Sequence, residues 1–443
     1  MTAATAAIRS PLPDVLELAQ ALIRQPTPNP PGEERPLAEY LAGELRRRGV
    51  EAHVLPVGGE RTPQANVFAR VPGRGTRPPL VLCGHLDTVP PGEGAWTRDP
   101  YAPAVEGGRL YGLGAADMKG AVAAMAVAAA RVAAEATRGR PLAADLLLAF
   151  TSGEETSSFG ARALAQSGLL RGAAGLVLGE PTANRVGIAE KGGLWLEIVL
   201  CGRTAHGSLP HLGANAVAGL AEVLAALERA STHARPPTTD DRRPTTAERG
   251  PPSAVGPEAS AAAGDEPGQR PAEEALRLAL HAPPHPLLGV PTLTPTRASG
   301  GVANNVVPDR ATATLDVRTI PGQSASAIFE AIERLAAEVA DRRGLRAYVH
   351  SLGERAALAT PPEHPLVRAC LAAAEAARGA PAETCGLTGA TDATELVPVL
   401  GLPFVICGPG EMAQAHHPDE YVDLQALAAS GEIYYRLARS LCG

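Results

Sequence analysis

The 443-residue sequence predicts an α/β protein: a mixed sheet flanked by helices, with a smaller α+β unit inserted into it. Three observations carry this. Apolar strand-like runs alternate with helix-periodic runs along the first 190 residues, the pattern of a sheet covered by helices. After Glu190 the pattern restarts as a strand–helix–strand–helix–strand unit of its own. A chain of this length also exceeds a typical single domain. The expected division is 1–190 and 353–443 for the split larger domain, with 191–352 as the insert.

Taken in order, VLELAQALIRQ and RPLAEYLAGELRRRG read as amphipathic helices separated by the breaker PTPNPPG. EAHVLPV, NVFARV and LVLCGHLD are strand-like, and GAADMKGAVAAMAVAAARVAAEA is an Ala-rich helix starting just after Asp117. LLLAFTSGEE and GLVLGEP are two further apolar runs that end in carboxylates. The insert holds the strand GLWLEIVLCGRTAHGS, the helix NAVAGLAEVLAALERA, the strand RATATLDVRTI, the helix ASAIFEAIERLAAEVADRRG and the strand LRAYVHSL. Residues 231–275 are rich in Pro, Gly, Ser, Thr and Ala and nearly free of large apolar side chains. Too little surface is available there to offset the entropy of ordering, so the segment is expected to be disordered; a binding tail is the alternative. The helix PLVRACLAAAEAARG, the strand LPFVICGPG, the run QAHHPDEYV and a last helix complete the larger domain.

Composition narrows the function. With 45% apolar and 20% charged residues the chain can build a sizeable core, and a formal net charge of −7 speaks against nucleic acid or an anionic membrane as partner. The N-terminal stretch lacks the basic segment plus apolar run of a signal peptide, and no uninterrupted apolar run has bilayer-spanning length. Six cysteines without CxxC spacing read as reduced thiols, and the expected compartment is the cytoplasm.

The chemistry gathers where apolar runs end. His85 and Asp87 close one such run, and alternation along a strand would turn both to the same side. Ligands of α/β sheets commonly bind at that end. Read alone, the pair is equally a turn histidine with a turn-forming aspartate. Asp117 alone could be a helix cap, Glu180 a strand-end charge before Pro181, and Glu154-Glu155 a solvated turn. Together with His416-His417 they form a set of imidazoles and carboxylates that one catalytic ion would not exhaust. A metal site, binuclear, accounts for their joint placement.

GHLDTVP, GLGAADMKG, SGEE, GEP and QAHHPDE, in this order, resemble the motifs of the binuclear zinc family of acetylornithine deacetylase, succinyl-diaminopimelate desuccinylase, aminoacylase and glutamate carboxypeptidase. The resemblance spans nearly the whole chain outside 231–275. It implies a zinc-peptidase-like fold with an inserted lid and dimerisation domain, and two Zn2+ ions, with Co2+ or Mn2+ as substitutes. Asp117 would bridge the ions, His85 and Glu180 would complete one site, and Glu155 and His416 the other. Asp87 would orient the His85 ring, and Glu154 would serve as general base for a metal-activated water. His417 would be a neighbour lining the pocket.

The same resemblance points to further contacts. RTAHGS is similar to the family's lid segment, so His206 would reach the substrate oxyanion or carboxylate; a lone loop histidine is otherwise structural. SGGVANNVVPDRA and LDVRTIPG likewise nominate Asn304, Asn305 and Arg318 for a substrate carboxylate, and GATDATE places Thr391 and Asp392 at the pocket border. The implied activity is hydrolysis of an N-acyl-L-amino acid, acetylornithine or succinyl-diaminopimelate leading, by a cytoplasmic homodimer without nucleic-acid or membrane partners. GATDATE departs from the acetylornithine deacetylase subgroup, which leaves the amino acid open. The alternatives are a dipeptidase or carboxypeptidase on the same scaffold, and a binding protein that keeps the fold without catalysis.

Overall fold

The computed structural model describes residues 11–232 and 271–443. These form two units, one taking in residues up to Lys191 together with Arg355–Gly443, the other Gly192–Glu354.

The first unit opens with α1 (Leu12–Ile23), α2 (Arg35–Arg47), β1 (Glu51–Pro56), β2 (Ala65–Val71), β3 (Leu80–His85), β4 (Ala104–Glu106) and β5 (Arg109–Tyr111). It continues with α3 (Lys119–Thr137), β6 (Leu146–Thr151), α4 (Phe159–Ser167), β7 (Gly175–Pro181) and β8 (Val186–Glu190). The second unit contributes β9 (Gly192–Cys201), α5 (Ala216–Thr232), α6 (Pro271–Leu280), β10 (Thr292–Gly300), β11 (Arg310–Thr319), α7 (Ala325–Arg343) and β12 (Arg346–Arg355). The chain then returns through β13 (Leu358–Ala359), α8 (Pro365–Arg378), β14 (Thr384–Leu387), α9 (Ala393–Leu400), β15 (Phe404–Gly408), β16 (Tyr421–Asp423) and α10 (Leu424–Leu441).

The first unit is a mixed sheet in the order β1-β2-β6-β3-β7-β15-β8-β13, with β14 also on β8. Its centre, β6-β3-β7-β15, is parallel. Central parallel strands are covered on both faces, which is why LVLCGH, LLLAFT and GLVLGEP are buried at every position and read as continuous apolar runs. One cover is α3, whose first fourteen residues are nearly all buried. By length and composition this helix could cross a membrane, yet most of it lies inside the protein. It packs against strands with little side chain: a Cβ added to Gly179 would stand 2.7 Å from the Cβ of Ala121. One added to Gly120 would meet the carbonyl oxygen of Ala115 at 2.5 Å. A separate three-stranded sheet, β16-β5-β4, completes the unit.

The second unit is a four-stranded sheet, β10-β11-β9-β12. Burial alternates along β11, and the buried side faces α5, α6 and α7 through Leu220, Leu276, Leu315, Ile332 and Leu335. Ser324 caps α7 by accepting the Ala327 N–H at 3.2 Å, and Gly344 ends it at a φ of 64°.

Two boundaries differ from the sequence expectation. Strand β3 stops at His85, so Asp87 lies in the following turn and the alternation argument does not reach it. Of the segment 231–275, residues 233–270 lie outside the described residues, but 271–275 begin α6. Ala272, Leu276 and Leu280 form a buried stripe on this helix, and Glu273 pairs with Arg229 of α5 at 2.9 Å. Averaging over Pro- and Gly-rich neighbours hid that stripe.

Candidate metal centre

Strands β6, β3 and β7 are adjacent and parallel, so their C-terminal ends lie side by side. His85 is the last residue of β3 and pairs in register with Thr151, the last of β6. Two residues beyond the Cys83–Leu178 pair stand His85 and Glu180. Both are buried. Asp117 reaches the same place from the turn before α3, where its peptide bond to Met118 is cis. The helix itself starts at Lys119 with Met118 as its cap, so Asp117 is free of the capping role.

His85 Nε2 stands 2.9 Å from Asp117 Oδ1 and 3.8 Å from Glu180 Oε2. A second group forms around the other oxygen of the same carboxylate. His416 Nε2 lies 3.6 Å from Asp117 Oδ2 and 3.1 Å from Glu155 Oε2. Within each group, one donor atom per residue lies within 4.8 Å of the others. Nitrogen and oxygen donors of this kind suit a borderline divalent cation. Asp117 belongs to both groups and turns one oxygen to each, which is the arrangement a bridging ligand needs. The five candidate ligands are therefore brought together, and His417 falls outside both groups, its Nδ1 2.7 Å from the Ala415 carbonyl.

Electrostatics agree with the donor geometry. Burial pushes Glu154 well above the usual carboxylate range, and the charge of Glu180 adds to it. Burial and Asp117 do the same to Glu180. Burial opposes charge on His85, but Glu180, Asp117 and Glu154 outweigh it and hold the imidazole well above its ordinary value. A cluster this rich in carboxylates is one that bound cations would neutralise.

The support around the ligands departs in one respect from the sequence reading. The partner of His85 Nδ1 is the main-chain carbonyl of Asp87 at 2.9 Å, whereas the Asp87 carboxylate stands 3.7 Å away. Donation from Nδ1 to that carbonyl leaves Nε2 as the free donor atom. The carboxylate instead accepts the backbone N–H groups of Glu154 at 3.2 Å and Glu155 at 3.1 Å, and the amide of Asn29 at 2.9 Å. Asp87 thus holds the ring with its backbone and the Glu154-Glu155 loop with its side chain.

Three supporting residues had escaped the sequence reading. Glu420 Oε1 accepts the N–H of Ala116 at 2.8 Å and of Asp117 at 3.0 Å, and burial raises its pKa to about 8. Lys119 is fully buried, donates to the Gln25 carbonyl at 2.7 Å, and is lowered to about 7 by burial. Asn29, also buried, is the third. Glu420 did lie within QAHHPDE, so a buried acid near a ligand was a usable signal. Asn29 offered none.

The remaining candidates divide between the units. Thr391 donates to Glu190 Oε2 at 2.8 Å, and Asp392 Oδ2 accepts from Thr151 at 2.5 Å, which puts GATDATE beside the end of β6. His206, Asn304 and Asn305 are exposed in the second unit. There His206 forms a bridge with Val306, and the Gly207 N–H donates to the Asn305 carbonyl at 2.7 Å. The Arg318 guanidinium is engaged by Asp316, with bonds of 2.7 and 3.0 Å, and lies over the Trp195 ring at 5.2 Å.

Known proteins agree with this architecture. A curated relative from Staphylococcus epidermidis, described as a probable succinyl-diaminopimelate desuccinylase, is 27% identical over 414 residues, covering 92% of this chain and 93% of its own. A tripeptidase from Staphylococcus aureus superposes with a TM-score of 0.72 at 17% identity, covering 97% of this chain and 98% of that one. A dinuclear metal binding peptidase from Bacillus subtilis superposes with a TM-score of 0.67 at 17% identity, covering 98% and 99%. The family description that matches, over residues 81–440, is peptidase family M20/M25/M40. With most of its length matched and both candidate ligand groups in place, the chain belongs to that family of metallohydrolases.

Proposed function

We propose that this hydrolase cleaves the amide bond of N-acyl-L-amino acids, with Glu154 as general base and two metal ions, zinc by preference, held by His85, Asp117, Glu155, Glu180 and His416. The observation that carries the two-ion reading is the Asp117 carboxylate, with one oxygen 2.9 Å from His85 Nε2 and the other 3.6 Å from His416 Nε2. The likeness to a dinuclear metal binding peptidase supports it. The acyl-amino-acid reading rests on the relative described as a probable desuccinylase.

Bound cations supply Lewis acidity at the scissile carbonyl and acidify water. The chain's own residues do the rest. Glu154, raised by burial, takes the proton of the attacking water and returns it to the leaving nitrogen. Asp87 holds the backbone of that base in place. Thr391 and Asp392 border the substrate, and His206, Asn304, Asn305 and Arg318 serve substrate binding from the second unit, taken as a lid and dimerisation domain. Tyr348 and Leu352, exposed on the edge strand β12, support a homodimer, and six free cysteines suit a reducing cytoplasm. Peptide hydrolysis at the same site is the second reading, favoured by the likeness to a tripeptidase.

The test is metal analysis of the purified protein followed by hydrolysis of N-acetylornithine, N-succinyl-diaminopimelate, dipeptides and tripeptides, with cobalt and manganese loading beside zinc. Turnover of an acylated amino acid supports the deacylase; turnover of peptides alone moves the assignment to a peptidase. Metal binding without any turnover leaves the binding-protein alternative.

A further inference from the structure

We propose that Asn29 is a positioning residue for the Glu154-Glu155 loop, acting through the Asp87 carboxylate; the metal part of this inference rests on the two-ion reading above. Asn29 lies outside the family-matched residues 81–440. Its main chain is stapled to the turn after β3: the Asn29 N–H donates to the Thr88 carbonyl at 2.8 Å, and the Thr88 N–H donates to Thr27 at 3.0 Å. The Thr27 hydroxyl adds a bond of 2.7 Å to the Leu86 carbonyl. The loop is therefore in place before the Asn29 side chain is considered.

That side chain has a specific task. Its Nδ2 donates to Asp87 Oδ2 at 2.9 Å and to Thr156 Oγ1 at 3.1 Å. Asp87 Oδ2 is the atom that accepts the Glu155 N–H, and Oδ1 accepts that of Glu154. One amide group thus ties the carboxylate that orients the base and a metal ligand to the loop that follows them. Asp87 is fully buried, and a buried carboxylate keeps its orientation only while its donors remain. His85 is held differently, through the Asp87 carbonyl, which Asn29 does not touch. Loss of the amide should disturb the Glu155–His416 group and spare the His85–Glu180 group.

The experiment compares the parent with Asn29→Ala and Asn29→Leu, the latter keeping nearly the same shape while removing both donors. Zinc titration by calorimetry should show one binding step weakened about 10- to 100-fold, the range for loss of a group that supports a ligand, with the other within about twofold. Hydrogen exchange on the metal-free protein is the independent readout. Residues 153–157 should exchange about tenfold faster, the factor one lost bond to a charged group corresponds to, while residues 192–201 stay unchanged. Thr156→Val, which leaves the Asn29–Asp87 bond intact, should show much smaller effects on both. Equal weakening of both zinc steps, or exchange at 153–157 that matches the parent, overturns the proposal. A parent that binds a single zinc ion defeats the two-ion reading, and the exchange data still decide the role of Asn29.

Discussion

Glu420 holds Asp117 from behind: one carboxylate oxygen accepts the Asp117 N–H at 3.0 Å and the neighbouring Ala116 N–H at 2.8 Å. Because Asp117 turns an oxygen to each ligand group, this one acid sets the aim of both. Glu420→Ala is expected to weaken retention of both metals by about 10- to 100-fold, read as metal content after dialysis against graded chelator.

Removing the shared ligand should differ from removing an unshared one. Asp117→Ala takes a donor from both groups and is expected to leave the protein with no tightly held metal. His416→Ala takes a donor from one group only and should leave about one ion per chain, as the structural assignment of one shared and two separate donor pairs requires. Elemental analysis of the two purified variants against the parent checks this.

The role proposed for Glu154 is proton transfer, and it lies in neither candidate ligand group. Glu154→Gln should retain the metal content of the parent while turnover falls about 10²- to 10⁴-fold, the usual contribution of a general base. Loss of metal in this variant would place Glu154 among the ligands instead.

Glu190 gives a pH signature that does not involve the metal. Burial raises it to about 8 from an ordinary value of 4.5, opposed by its hydrogen bond from Thr391, and its Oε1 has no partner. An acid with a raised native pKa binds its proton more tightly folded than unfolded. Its contribution is complete below pH 4.5 and is lost as pH climbs towards 8. Glu190→Gln should therefore show a shallower fall in melting temperature between pH 5 and pH 8, measured by thermal denaturation with the parent alongside.

The candidate ligands were legible because each ends or follows an apolar run, and a parallel sheet brings such ends together without further information. Their individual roles were implied only by the resemblance of the motifs to a known family. The supporting layer was hidden for a physical reason. Asn29 to Asp87 is a contact across 58 positions and Glu420 to Asp117 across 303, and neither leaves a local pattern of period 2 or 3.6. Asp87 shows the limit most clearly: its position is legible in the sequence, but only the folded structure separates the work of its carbonyl from that of its carboxylate. Helix α6 was lost differently, because ten residues of good amphipathic pattern adjoin a long polar stretch that dominates any window average.

The scarcity of side-chain volume beneath α3 bears on how this chain can vary over generations. Gly120, Gly179 and Ala121 carry no chemistry, yet the helix that follows Asp117 rests on their smallness. A side chain at either glycine would run into atoms already in place, the Ala115 carbonyl oxygen or the Cβ of Ala121. Inherited change is thus channelled away from the floor of the site towards exposed strands such as β10, where most positions face solvent and a new side chain disturbs little.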